Sequence, residues 1–356
     1  MSNEEKTKMV KNRRTKKNGK WTWENFSKRS VEDHREFKGW DFMLQLLISA
    51  MKTPYYSKGS YDGMFSDDTL KRMRQELRQR DRDLLVTMFL TGGRVSEVIM
   101  LHSGNFELMD DRIRVRNMPL LKRYKKIKDK VSVIQQVEKP GPGYQFMKWI
   151  DTMAWVKRTW ITETLVKERQ VFPIPMWEPF TNYLVNLVKK SKRGEGGYHW
   201  LFPSSHVRGR KELSGVEMWM ADQFGLVKRD EKTKKVIEPY TRPWISETRA
   251  YQIVKMVSKP LVQEGKLTNL STPAWNHLIR GQRASQCASQ YGFFTPHLSR
   301  FFGWEGGWTS GRATTAQIYA GLSDEDLWEQ MSKYRGRVES SKEKLEEILR
   351  REYSAN

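Results

Sequence analysis

A pair of glycines does most to constrain what this chain can fold into. Leu84, Leu85, Met88 and Phe89 recur at helical spacing, and Gly92-Gly93 follows close behind. Side chains three and four apart share one helix face, so these residues predict the buried stripe of a helix that the glycines stop. Arg94 then stands just past the helix end, where Val95, Val98, Ile99 and Leu101 predict a second helix. A glycine turn lets backbone approach a ligand closely, and a guanidinium at the start of the next helix is well placed to meet an anion.

The same periodicity organises the rest of the chain. Trp40, Met43, Leu44, Leu47 and Met51 predict an amphipathic helix over about 34–56, and Ser66-Asp-Asp-Thr reads as the cap of the next helix, beginning near Thr69. Phe106-Glu-Leu and Arg112-Ile-Arg-Val-Arg116 read as short strands around an Asp110-Asp111 turn. Alternation in the second puts Ile113 and Val115 on the core and turns Arg114 and Arg116 towards a phosphate backbone. Val171-Phe-Pro-Ile-Pro175 reads as a later strand whose prolines predict an edge or terminal position. Residues 125–165 read as an insertion divided by Pro140-Gly-Pro-Gly143, and helices resume over about 176–190 and 246–264. Asp324 to Tyr353 carries a charged helical pattern with a sparse apolar stripe of Leu327, Met331, Leu345 and Ile348, interrupted by Gly336. Such a stripe fits a groove on a neighbouring subunit or a helix folded back in cis. The fold class is mainly α with a small antiparallel sheet, an α+β arrangement.

Charge narrows the partner. Over 356 residues the formal net charge is +22, a poor fit to a small-molecule enzyme and a good fit to a polyanion binder. A basic structural protein would share that signature, so charge alone names no chemistry. The first twenty residues are polar, and Lys11, Arg13, Arg14, Lys16 and Lys17 make them either a phosphate-tracking arm or a solubilising tail. Trp21, Trp23 and Phe26 follow as anchors to the fold. Cys287 is the only cysteine, which excludes a disulfide framework and fits a reducing compartment. The N-terminus lacks the apolar stretch of a secretory signal, and no apolar run is long enough to cross a bilayer. The expected location is cytoplasmic and nucleoid-associated, or the host cell of a virus or mobile element. His34, His102, His199 and His206 are scattered and form no metal constellation, and no P-loop occurs, so no cofactor is expected.

Three further motifs lie in order near the C-terminal end: His277-Leu-Ile-Arg280, Phe301-Phe-Gly-Trp304 and Thr314-Thr-Ala-Gln-Ile-Tyr319. With Thr91-Gly-Gly-Arg94-Val-Ser-Glu97 upstream, the ordered set resembles the tyrosine recombinases of the phage-integrase family. Its Phe-Phe-Gly-Trp form is most similar to archaeal and archaeal-virus members. The likeness covers roughly residues 75–325 and is strongest at the Arg94 block and from His277 to Tyr319.

That resemblance implies a recombinase catalytic-domain fold over 75–323, preceded by a short helical DNA-binding region over 21–74 and the basic arm over 1–20, and followed by a charged helix over 324–356. It implies double-stranded DNA as partner, a tetramer on two DNA sites, no membrane, and strand exchange without metal or ATP. Tyr319 would be the nucleophile, Arg94 and Arg280 would hold the phosphate, His277 would handle the tyrosine proton, and Glu97 would buttress the fold. Trp304, where many members carry a second histidine, offers a donor-only indole N–H that can bond a phosphate oxygen. The leaving-group lysine is missing from its usual place around Met118; Lys122 is the choice and Lys167 the alternative. His297 and Arg300 share the His277–Arg280 spacing and read as structural or DNA-backbone contacts. Type IB topoisomerases and telomere resolvases share this chemistry, and a non-catalytic DNA-binding protein on the same fold is the remaining rival.

Overall fold

The computed structural model describes residues 39–55, 64–127, 144–149, 152–157, 160–191, 199–204, 209–210, 230, 232–233, 240–241, 243–264, 276–303 and 322–354; the strands within 121–167, the pair 209–210 and 240–241, and residues 276–277 are described by backbone alone. Lys11, Arg13, Arg14, Lys16, Lys17, Trp304 and Tyr319 lie outside the described residues.

Helix α1 (Gly39–Met51) and helix α2 (Asp67–Thr91) make the first layer. Ser66 caps α2 by accepting from the Thr69 N–H, and Asp67 and Asp68 sit in its first turn, where the helix dipole favours negative charge. At the other end Gly92 adopts φ +57° and donates its N–H to Phe89 O at 3.0 Å. A side chain there is barred twice, by the left-handed backbone and by the Phe302 ring, which a Cβ would approach to 2.2 Å. The second helix is a single turn, α3 (Val95–Val98), followed by a 3-10 turn at Ser103–Asn105.

Strands β1 (Phe106–Leu108), β2 (Arg112–Val115) and a later strand over Phe172–Pro175 form an antiparallel sheet with β2 at its centre. Ile113 and Val115 face the core while Arg112 and Arg114 stay partly exposed, so the alternation sets the register. The prolines of the last strand lie at the sheet edge. Between β2 and that strand the chain makes a ribbon in which β3 (Met118–Ile127) pairs along its whole length with β6 (Trp160–Arg169), and a separate antiparallel pair of β4 (Tyr144–Trp149) with β5 (Thr152–Lys157). Paired strands therefore extend beyond 125–165 on both sides. The edge strand becomes β7 (Phe172–Pro175), and β8 (Gly209–Arg210) pairs with β9 (Tyr240–Thr241).

Helices α4 (Thr181–Ser191), α5 (Glu247–Gln263), α6 (Asn276–Tyr291) and α7 (Thr295–Phe302) complete the core. Met43, Leu46 and Leu47 of α1 are fully buried, and α1 packs on α2, α5 and α6, so it shares their core. The C-terminal segment forms two helices, α8 (Asp324–Ser332) and α9 (Arg335–Ser354), with the break at Lys333–Tyr334 and Gly336 inside α9. Leu327, Met331 and Leu345 are buried, but Ile348 is exposed and Leu349 takes the inward place: one residue along a helix turns a side chain by about 100°. These helices dock in cis. Arg114 bonds Asp324 at 2.5 Å, Arg112 bonds Glu325 at 2.8 Å, and Lys52 of the segment after α1 meets Glu352 at 3.0 Å. Among the described residues no helix is long and apolar enough to cross a membrane.

The 3-10 turn offers a test of burial. His102 Nδ1 accepts the Gly104 N–H at 3.1 Å, and burial pulls this imidazole down to about pKa 4. An unfolded histidine binds its proton from about pH 6.5. The unfolded chain thus binds more protons between these values, and the contribution of His102 to stability is complete above about 6.5 and lost as pH falls towards 4. The His102 ring resonances should titrate near pH 4 by NMR; a midpoint near that of a solvated histidine contradicts the half-buried cap.

Candidate active site

The site is built on the end of α2. A helix C-terminus leaves carbonyls without intrahelical partners and carries partial negative charge. Two arginines from distant parts of the chain meet those carbonyls. Arg169 Nη1 donates to Thr91 O at 2.8 Å, and Arg280 Nη1 donates to Gly92 O. Arg280 Nη2 also reaches Phe302 O at 2.8 Å, so one side chain ties the end of α2 to the end of α7.

Glu97 gathers the cations. Arg94, at the start of α3, donates its backbone N–H to Oε2 at 2.7 Å and its guanidinium to Oε1 at 2.6 Å. The Glu97 side chain is wholly buried, and Oε2 lies 3.8 Å from Arg280 Nη1. Arg94 keeps 32% of its side chain exposed against 7% for Arg280, so it forms the outer rim and Arg280 the floor. Burial pulls the Arg280 guanidinium down to about pKa 10; Glu97 opposes that shift and Arg94 adds to it.

One turn along α6, Arg283 provides an internal comparison. It forms a two-pronged pair with Glu178, one bond at 2.9 Å, and both side chains are fully buried. Against the cost of burial, Cys287 and Glu178 hold its guanidinium above the ordinary range. A buried arginine with a structural role thus has a dedicated carboxylate. Arg94 and Arg280 instead share Glu97, and a cation held below its ordinary pKa gains from an additional anion.

His277 lies on α6 one turn before Arg280. Lys122 on β3 pairs with Leu165, and Lys167 on β6 pairs with Leu120, both in the part of the ribbon nearer the sheet. Arg114 is held by Asp324, and Arg116 pairs with Glu107 while staying partly exposed. His297 stacks on Phe293 with ring centroids 5.3 Å apart, and Arg300 Nε donates to Leu322 O at 2.6 Å. The latter bond fastens the chain three residues after Tyr319 to α7. Arg169 escaped the sequence reading because it sits in a run of charged residues; the strand register places it opposite Met118. Among the described residues no group of His, Cys, Asp and Glu side chains has the arrangement of a metal site.

No family model matches this chain. No curated protein matches it either. Among solved structures it is similar to the XerH site-specific recombinase bound to difH substrate in a pre-cleavage complex, with 11% identity and a TM-score of 0.34. The match covers 79% of this chain and 48% of the recombinase chain, so the protein spans about half the length of that neighbour. At that degree of similarity the likeness decides neither fold nor activity.

Removing the shared carboxylate should be costly. Glu97→Ala leaves Arg94 and Arg280 facing each other at the end of α2, and loss of one partner from a buried ion pair costs about 3 kcal/mol or more. Urea unfolding monitored by tryptophan fluorescence measures the loss; a change within experimental error contradicts the central place given to Glu97.

Proposed function

We propose that this protein is a site-specific DNA recombinase that cuts and rejoins strands through a tyrosine. The observation that supports this most is the convergence of Arg94 and Arg280 on one buried carboxylate, with the end of α2 bonded to Arg280 across 188 residues of sequence. A phosphate in transfer carries its charge on non-bridging oxygens, and two guanidinium groups at different depths can grip two of them. The bonds of the Arg280 guanidinium to Gly92 O and Phe302 O orient its plane.

In this reading Tyr319 attacks a DNA phosphorus atom. The bond to the 5′ oxygen breaks, leaving a 3′-phosphotyrosyl link and a 5′ hydroxyl. His277 accepts the phenol proton, since a phenol of pKa about 10 needs help to attack at neutral pH. Lys122, or Lys167 in its place, delivers a proton to the departing 5′ oxygen. Arg94 and Arg280 hold the non-bridging oxygens, and the Trp304 indole N–H adds a hydrogen bond to one of them. A 5′ hydroxyl from a partner duplex then displaces Tyr319, so the bond energy is conserved and neither metal nor nucleotide is consumed. Two duplexes imply a tetramer. The basic arm with Lys11, Arg13, Arg14, Lys16 and Lys17 would track the backbone, and Arg114 and Arg116 would add contacts by exchanging their carboxylate partners for phosphate. The Phe301-Phe-Gly-Trp304 form keeps the archaeal and archaeal-virus branch as part of the proposal.

The test is capture of the covalent intermediate on a nicked suicide duplex, in which the cleaved fragment diffuses away before it can rejoin. The wild-type chain should yield an SDS-resistant DNA adduct in the presence of EDTA. Tyr319→Phe should bind DNA with near-normal affinity and yield none. Arg94→Ala and Arg280→Ala should each slow adduct formation about a hundredfold or more while changing affinity far less, because they act on charge that develops in the transition state. An adduct with the phenylalanine variant, or cleavage that requires magnesium, contradicts the reading. Supercoil relaxation without strand exchange would favour the topoisomerase alternative.

A further inference from the structure

Arg169 has a setting unlike that of a surface cation at a hairpin base. It is 2% exposed, and its guanidinium carbon lies 3.8 Å from the Phe172 ring centroid, with Phe301 and Phe302 at 5.3 and 5.8 Å. Nη1 is anchored on Thr91 O, while among the described residues Nε and Nη2 have no hydrogen-bond partner. A buried donor left without a partner is costly, and so is a buried charge without a dedicated carboxylate. Arg280 and Glu97 both lie within electrostatic reach of it. The strand register explains how it arrives there: Arg169 is the last residue of β6, opposite Met118 at the root of the ribbon.

We infer that Arg169 is a positioning residue of the Glu97 site: it braces the Thr91–Gly92 end of α2 from behind and adds a third positive charge to the field that receives the phosphate. This rests on the proposed reading of that site as one for a phosphoryl group. At 2% exposure Arg169 does not itself reach the ligand. It acts through Gly92 and Arg280, whose guanidinium is bonded to the carbonyl next to the one Arg169 holds. The faces of the three phenylalanine rings around it offer the guanidinium a favourable partial charge in place of a carboxylate. A carboxylate in that position would cancel the field; the rings support the cation without doing so. Burial, with Arg280 beside it, holds Arg169 well below the ordinary guanidinium range, the mark of a cation whose surroundings favour an added anion.

The test uses the full chain and orthovanadate, a probe for phosphoryl sites, read as the shift in thermal unfolding midpoint over a sodium chloride background. The wild-type midpoint should rise with vanadate and saturate. R169M should need about fivefold more vanadate or greater for half the effect, the scale set by one unit charge several ångström from a partly wet site. R169Q is the second neutral variant should the methionine variant not fold. R169K, which keeps the charge, should stay within about twofold of wild type. R351M, at an exposed arginine on α9, should titrate as wild type and accounts for general attraction to a basic surface. A neutral variant that titrates as wild type, whatever its stability in chloride alone, overturns the inference, as does a lysine variant as weak as the methionine one. A wild-type chain with no vanadate response sinks the phosphoryl-site reading itself, so the two failures are distinguishable.

Discussion

The carbonyl end of α2 is the point on which the rest of the architecture depends. Gly92 lets the chain turn without a side chain between it and Phe302, and the turn leaves Thr91 O and Gly92 O directed at Arg169 and Arg280. Those bonds fasten the root of the ribbon, helix α6 and the end of α7 to a single helix terminus. Arg94 and Glu97 follow within one turn, so the same glycine pair that ends the helix delivers the rim of the candidate site. Fold and site are one construction: what satisfies the helix end also gathers the cations.

Two buried arginines one turn apart on α6 serve different ends. Arg283 is matched by Glu178 and locks α6 to the segment after β7, where Trp40 Nε1 also reaches Glu178 at 3.4 Å. Arg280 faces Glu97 in company with Arg94, with Arg169 behind. Burying cations around a shared carboxylate is unfavourable for folding alone, and proteins tolerate such arrangements where a ligand compensates. In a chain with a net charge of +22, the guanidinium groups beneath Arg94 concentrate positive charge at one place.

Much of this was legible in the sequence wherever a local pattern decides the outcome. The stripe ending at Phe89, the Ser66 cap, the alternation of β2 and the edge prolines of β7 each follow from spacing within a few residues, and the architecture is helical with a small antiparallel sheet. Arg169 was not legible, because its placement depends on the pairing of β3 with β6 across a long excursion, and no local periodicity carries that register. The C-terminal stripe was read one position out: Ile348 and Leu349 are both apolar, and packing against the core, absent from the sequence pattern, selects Leu349. Whether that segment folds in cis was likewise a matter of partners, decided by Asp324 and Glu325 meeting the arginines of β2. Tyr319 and Trp304 lie outside the described residues and rest on their motifs; the bond from Arg300 to Leu322 fastens the chain a short way beyond the tyrosine.

The central claim is that Glu97 collects arginines in order to receive a phosphate oxygen. Crystals of the full chain soaked in tungstate measure this directly, since the heavy atom reports its own position by anomalous scattering. The account predicts a tungstate ion within hydrogen-bond distance of both Arg94 and Arg280, over the Gly92 turn. Tungstate bound at other basic surfaces with no density at that turn would contradict it.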